Sequence, residues 1–256
     1  MAGASGSATI CAGLIHDPEG RLVEPIARGA TGLRALFAGF ALSLTEATDG
    51  RVAAALETHL GASVLRHPTG EAIIGQARRG AVVAALRLAG EAVLYSDFDH
   101  LVRWAARDAA EIAHLLADRP ALDLLVIGRS PAAFAAEPRR LQETERVVNH
   151  IYTLMTGREW DLLFAVRRFS RRGAEAIMAA SRIETLANDV EWPLLADRLG
   201  LIIGYAAADG LYYRTMEDFA APADRHDDSP HEWIRRIGFA MDEAAVLRSF
   251  LDPAAR

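Results

Sequence analysis

Val93-Leu94-Tyr95-Ser96-Asp97-Phe98-Asp99-His100 joins an apolar run to two carboxylates two residues apart. A short apolar run of this kind reads as a buried strand, and the polar residues after it mark the strand's carboxyl end. In an extended segment, side chains at spacing two point the same way. Two convergent carboxylates repel unless a cation neutralises them, and hard oxygen ligands suit Mg2+ or Mn2+. The competing reading is a solvated acidic turn, with Asp99 favourable near the N-terminus of the next helix. Position favours the ligand site, because open α/β sheets bind ligands beyond the carboxyl ends of their strands.

Outward from this stretch, apolar runs alternate with segments of helical period. Ala8–Ile15, Ala38–Leu44, Ser63–Arg66, Ala92–Tyr95 and Leu122–Ile127 read as five strands. Arg51–Leu60 reads as a helix started by Thr48-Asp49 and stopped by Gly61, and Ile73–Leu88 and Leu101–Leu116 read as two more. This alternation predicts right-handed crossovers and a mainly parallel sheet covered on both faces. The second half is less regular. Leu141–Met155, Arg172–Ala180, Glu191–Leu199 and Pro230–Phe250 are expected helices, and Leu162–Phe169, Leu201–Ala206 and Leu211–Tyr213 expected strands. Met1–Ser7 reads as a flexible lead-in and Ala220–Pro230 as a loop. With no repeat and no linker, the 256 residues are expected to form one domain.

Composition narrows the function. A net charge of −6 argues against general nucleic-acid binding, which needs a basic surface. A few placed arginines or a bound cation still permit an anionic ligand. The single cysteine, Cys11, lies in an apolar run and reads as a small buried hydrophobe. No window approaches about 18 apolar residues, so a cytoplasmic protein without a membrane span is expected. The segment around His231-Glu232-Trp233-Ile234-Arg235-Arg236 has an amphipathic character that leaves peripheral membrane contact open, with packing on the domain the commoner outcome.

From Thr45 to Asp99 the chain resembles the nucleotide-binding half of family 2 glycosyltransferases of the GT-A fold. The residues that carry the likeness are Glu46-Ala47-Thr48-Asp49-Gly50, Arg66-His67-Pro68, Gly75-Gln76-Ala77-Arg78-Arg79-Gly80 and Asp97-Phe98-Asp99, in the family's order and spacing. Three later stretches are similar to polyprenol-phosphate sugar synthases. They are Asp123–Ser130, Ala165–Arg172 and Asn188-Asp189-Val190-Glu191. The chain departs from the pattern at His16-Asp17-Pro18-Glu19, at Ala165 where the family has glycine, and at Arg129, one position early.

The resemblance implies a single α/β domain of GT-A type with a mixed, mostly parallel sheet. Residues 8–130 would be its nucleotide-binding half, 131–219 its acceptor-side half and 220–256 a C-terminal loop and helix. It implies sugar transfer from a UDP- or GDP-linked donor, with Mn2+ or Mg2+ held by Asp97 and Asp99. Arg78, Arg129 and Arg167 would contact phosphate and Glu46 the nucleoside; Asp189 or Glu191 would be the general base for a hydroxyl acceptor. His226 and His231 are conceivable further ligands of the ion. On their own residues, Arg129 and Arg167 read equally as exposed partners of nearby acids, Arg78 as a surface residue, and Asp189 and Glu191 as an N-cap and a first-turn residue of a helix. The alternatives are a binding or scaffolding protein with a degenerate site, or a sugar-nucleotide pyrophosphorylase-like enzyme. The latter wants a Gly-rich loop after the first strand, which Gly13 and Gly20 do not supply.

Overall fold

The computed structural model describes residues 8–211 and 226–251. Seven strands form one sheet in the order β3-β2-β1-β4-β6-β5-β7. They are β1 Thr9–Ile15, β2 Gly39–Thr45, β3 Ser63–His67, β4 Ala92–Asp97, β5 Leu124–Arg129, β6 Val166–Ser170 and β7 Ile203–Ala208. Only β6 runs against its neighbours β4 and β5. The sheet is therefore mixed and mostly parallel, as expected.

Both faces are covered, and the strands alternate accordingly. Cys11, Leu94, Leu125 and Ile127 face one core, with α1 (Val23–Leu36), α2 (Gly50–Leu60) and α4 (Phe98–Ala117). Ile10, Ala12, Val93, Tyr95, Leu124 and Val126 face the other. There lie α3 (Ile74–Ala85), α6 (Arg139–Thr156), α7 (Arg171–Ala180), α8 (Asn188–Arg198) and α9 (Pro230–Leu251). A short α5, Pro131–Ala135, follows β5. Cys11 is buried, and burial pushes its thiol pKa far up, which suits an inert core residue.

Local chemistry explains most boundaries. Asp49 caps α2 by accepting from the Arg51 N–H, and Gly61 ends it at a φ of +61°. Helix α1 was not apparent from the sequence, because Pro25, Gly29 and Gly32 interrupt it. Its buried Ile26, Ala30, Leu33 and Leu36 nevertheless keep a helical stripe. The Asp17 carboxylate accepts from the N–H groups of Arg21 and Leu22 just before that helix. Leu162–Phe169 becomes a strand only from Val166, and Leu201–Ala206 forms β7. Leu211 is not in a strand; Tyr212-Tyr213, Met1–Ser7 and residues 220–225 of the expected loop lie outside the described residues. Asp227 and Asp228 form a 3-10 turn before α9.

The strand order positions the site. From β1 the chain moves outward through β2 to β3, then returns to place β4 on the other side of β1. The carboxyl ends of β1 and β4 therefore flank the point where the winding reverses, which is where open α/β sheets form their ligand crevice. Asp97 is the last residue of β4, level with Leu14 of β1.

Candidate functional site

Helix α4 begins at Phe98, directly after Asp97. The segment is thus not extended through Asp99, and the strand-like alignment expected of the two carboxylates is replaced by another. Asp97 stands at the N-cap position and Asp99 in the first turn of α4. Both are partly exposed at the carboxyl edge of the sheet.

Asp97 has close partners. The Tyr95 hydroxyl donates to its Oδ1 at 2.7 Å, and Arg78 Nη2 lies 3.4 Å from its Oδ2. Arg78 Nη1 reaches Asp189 Oδ2 at 3.0 Å and Asn188 Oδ1 at 3.0 Å. Arg167 Nη2 approaches Asp189 Oδ1 at 4.0 Å. Asp97, Arg78 and Asp189 line one cavity of about 230 Å3, with Phe239 and Glu243 of α9 among its walls. Burial raises the Asp189 pKa, opposed by Arg78 and Arg167. Burial also works against the charge of Arg78, but Asp189 and Asp97 outweigh it and keep the guanidinium protonated.

The close approach of two backbones sets this geometry. The Gly75 N–H, at the start of α3, donates to Glu184 O at 2.6 Å in the loop before α8. A Cβ at Gly75 would collide with the carbonyl oxygens of Thr185 and Ile183. Glycine thus lets α3, which carries Arg78, meet the loop that leads to Asn188 and Asp189. Ala165, on the cavity wall, takes a φ of +55°. That conformation suits the glycine of the resembled stretch better than any L side chain.

Three expected residues have other employment. Arg129 was expected at a phosphate; it is instead fully enclosed, with Glu137 at 3.1 Å, Glu145 at 2.5 Å and Asp161 at 2.8 Å. Three carboxylates surround the guanidinium, which has no exposed side-chain surface although it borders the same cavity as Asp97, Arg78 and Asp189. Arg167 was expected at a phosphate too, but its Nη2 donates to Leu162 O and Asp189 O and its Nη1 to Val166 O. Its role is to tie three backbone carbonyls behind the cavity. Glu191 was the second candidate base. Its carboxylate accepts from Ser181 Oγ at 2.5 Å and from the N–H groups of Arg182 and Ile183, which closes the turn after α7. Glu46 is exposed just after β2, its N–H paired with His67 O.

Sequence reasoning missed two buried acids, Glu137 and Glu145, that border the same cavity. Glu145 also pairs with Arg236 of α9, which ties that helix to α6. Burial pushes Glu137 up to about 7, with Arg129 pulling it down and Glu145 pushing it further up. A carboxyl raised in the folded state favours folding below its unfolded pKa near 4.5, and that contribution is lost as pH rises through about 7. Glu137→Gln is therefore expected to stabilise the protein at pH 8 by about 1–3 kcal/mol, with the gain vanishing toward pH 5. Denaturant melts at the two pH values read this out. An equal effect at both would remove titration as its cause.

Asp97 and Asp99 are hard carboxylates at a partly open edge, of which Asp97 lines the cavity, and no group of three His, Cys, Asp or Glu among the described residues converges as a metal site. His231 is exposed, and His226 lies in the turn before α9. Two carboxylates suit an ion whose other oxygens come from a bound phosphate.

No protein-family model matches the chain, and no curated relative does. Solved structures match in fold, and the chain has a mixed α/β fold of the GT-A nucleotide-diphospho-sugar transferase type. A mycobacterial protein aligns at a TM-score of 0.60 and 17% identity, over 96% of this chain and 75% of that one. Glucosyl-3-phosphoglycerate synthase from Mycobacterium tuberculosis, in complex with uridine diphosphate, aligns at 0.53 and 14% identity, over 92% and 81%. The same synthase with Mn2+, UDP-glucose and phosphoglyceric acid aligns at 0.51 and 14%, over 92% and 81%. Among the described residues no helix is long and apolar enough to cross a membrane. Helix α9 packs Val246 and Leu247 inward and leaves Ile234, Ile237 and Met241 exposed.

Proposed function

We propose that this chain transfers a sugar from a nucleotide-sugar donor, bound together with Mn2+ or Mg2+, to an acceptor hydroxyl. The observation that carries this reading is the position of Asp97. It ends β4 where the strand order reverses, and it shares one cavity with Arg78 and Asp189. The likeness of fold to a synthase crystallised with UDP-glucose and Mn2+ supports the reading by analogy.

Asp97 and Asp99 would hold the ion, which when bound offsets the negative charge that develops on a leaving diphosphate. Arg78 would donate to phosphate oxygens through Nη2 in exchange for its long contact to Asp97, a geometry that its planar fork matches. The exposed carboxylate of Glu46 is suited to accept from ribose hydroxyls. Asp189, raised by burial, would take the acceptor's proton.

The test is direct. The protein with Mn2+ and UDP- or GDP-sugars should melt at higher temperature and slowly hydrolyse its donor. A ligand at a hundred times its Kd stabilises by about 2.7 kcal/mol. In Asp97→Asn and Asp99→Asn the metal-dependent part of this gain should disappear while the fold stays intact, because ligands are lost and core packing is not. Undiminished metal-dependent stabilisation in both variants would move the site elsewhere. Stabilisation of the parent protein without any turnover would favour a binding protein over an enzyme.

A further inference from the structure

Asp97 already has a cation against it. Arg78 Nη2 stands 3.4 Å from Asp97 Oδ2, and the Arg78 side chain is almost wholly enclosed, at 8% exposure. The other end of the guanidinium is held more tightly, at 3.0 Å from both Asp189 and Asn188. The Asp97 contact is thus the looser one, on the side where Asp97 remains 28% exposed. We propose that Arg78 makes cation binding at Asp97 conditional on a bound nucleoside diphosphate. The inference rests on the reading of Asp97 as an ion ligand given above.

The physics is a matter of which charges stand together. A divalent ion that approaches Asp97 alone must displace the guanidinium from Oδ2 and then sit a few ångströms from a fixed positive charge. Repulsion at that range is steep where water is partly excluded. Arg78 cannot retreat far, because Asp189 and Asn188 anchor it and Gly75 fixes α3 against the loop before α8. A diphosphate reverses the sign of the problem. Its oxygens accept from Nη2 as the Asp97 contact is released, and they complete the coordination of an ion for which the protein offers two carboxylates. Metal and nucleotide then bind cooperatively, and each tightens the other by the same factor. Arg78 is in this sense a positioning residue for the ion as well as a phosphate contact.

Mn2+ titrated into the full chain, alone and with saturating UDP or GDP, tests this by the electron paramagnetic resonance signal of free Mn2+. In the parent protein, nucleotide should tighten Mn2+ by about tenfold or more. In Arg78→Gln, Mn2+ alone should bind about fivefold tighter or better than to the parent, and the nucleotide effect should shrink toward none. Arg78→Gln leaves Asp189 buried without its partner, so the double variant Arg78→Gln/Asp189→Asn, which removes both charges, guards against misfolding. It should show the same gain for Mn2+ alone. Metal-alone affinity at or below the parent's in both variants overturns the proposal. Asp97→Asn separates the two layers. If it keeps parental Mn2+ binding with nucleotide, the ion-ligand reading falls and the gate with it. If it loses that binding while the Arg78 variants leave metal-alone affinity unchanged, the gate alone falls.

Discussion

Arg129→Met is expected to lower stability by about 3–5 kcal/mol near neutral pH, the usual cost of removing one side of a buried ion cluster. Its guanidinium is the shared partner of Glu137, Glu145 and Asp161, all within 3.1 Å. Asp161 shows the dependence most clearly: burial would raise its pKa, but hydrogen bonds and charge from Arg129 hold it below the usual carboxylate range. Without Arg129, Glu137 loses its ion pair, Glu145 keeps only Arg236 and Asp161 only hydrogen bonds such as that from Asn149, so the acids must be buried underpaired or take up protons on folding. The deficit should therefore shrink as pH falls and the carboxyls protonate in the unfolded chain as well. Urea melts at pH 7.5 and pH 5 measure it, and a loss under about 1 kcal/mol at pH 7.5 would show that the acids do not rely on this arginine. Because the side chain is enclosed, folded Arg129→Met should bind a nucleoside diphosphate as the parent does. Selective loss of diphosphate binding would return Arg129 to the phosphate site.

Asp189→Asn should lower the rate of transfer to a hydroxyl acceptor by about a hundredfold or more, with little change in donor affinity. The amide keeps an oxygen toward Arg78 but loses the capacity to take a proton together with the charge paired to that guanidinium, which retains Asp97 as its other carboxylate. Since burial raises the Asp189 pKa, the parent's kcat/KM should fall as pH drops through that raised value, and this acid limb should be absent from the residual activity of the variant. Glu191→Gln offers the contrast. Its carboxylate holds Ser181, Arg182 and Ile183, so the expected cost is in melting temperature and not in the chemical step. If Asp189→Asn instead loses donor binding and melting temperature together, the carboxylate is structural and the base assignment is withdrawn. If the rate does not change, the acceptor needs no base, as a phosphate would not.

The strands of the first half were legible because each is a short apolar run closed by a polar or glycine-rich stop, and burial on both faces leaves little room for other patterns. The β1–β4 boundaries fall within a residue or two of the reading. Helix α1 was not legible, since two glycines and a proline masked the stripe from Ile26 to Leu36. At the site, sequence pattern placed residues on strand ends but could not assign their partners. Asp97, Arg78 and Asp189 meet; Arg129 and Arg167 turn inward to carboxylates and carbonyls, and nothing in their flanking residues distinguishes an arginine that faces a ligand from one that binds a glutamate sixteen residues on. The acids that claim Arg129 lie at positions 137, 145 and 161, on three separate segments, so only the folded chain brings them together.

The antiparallel strand β6 also has a consequence for how the chain is made. It stands between β4 and β5, yet follows both in sequence. When β4 emerges from the ribosome, its outer edge has no partner until Val166–Ser170 arrives, about seventy residues later. At ordinary synthesis speeds that interval is about 4–14 s, long compared with hairpin or helix formation. During it, β3-β2-β1-β4 can assemble as a four-stranded sheet with an open apolar edge, while β5 waits with nothing to pair against. Nascent chains stalled before residue 166 should thus hold chaperones, and chains stalled well past residue 170 should release them.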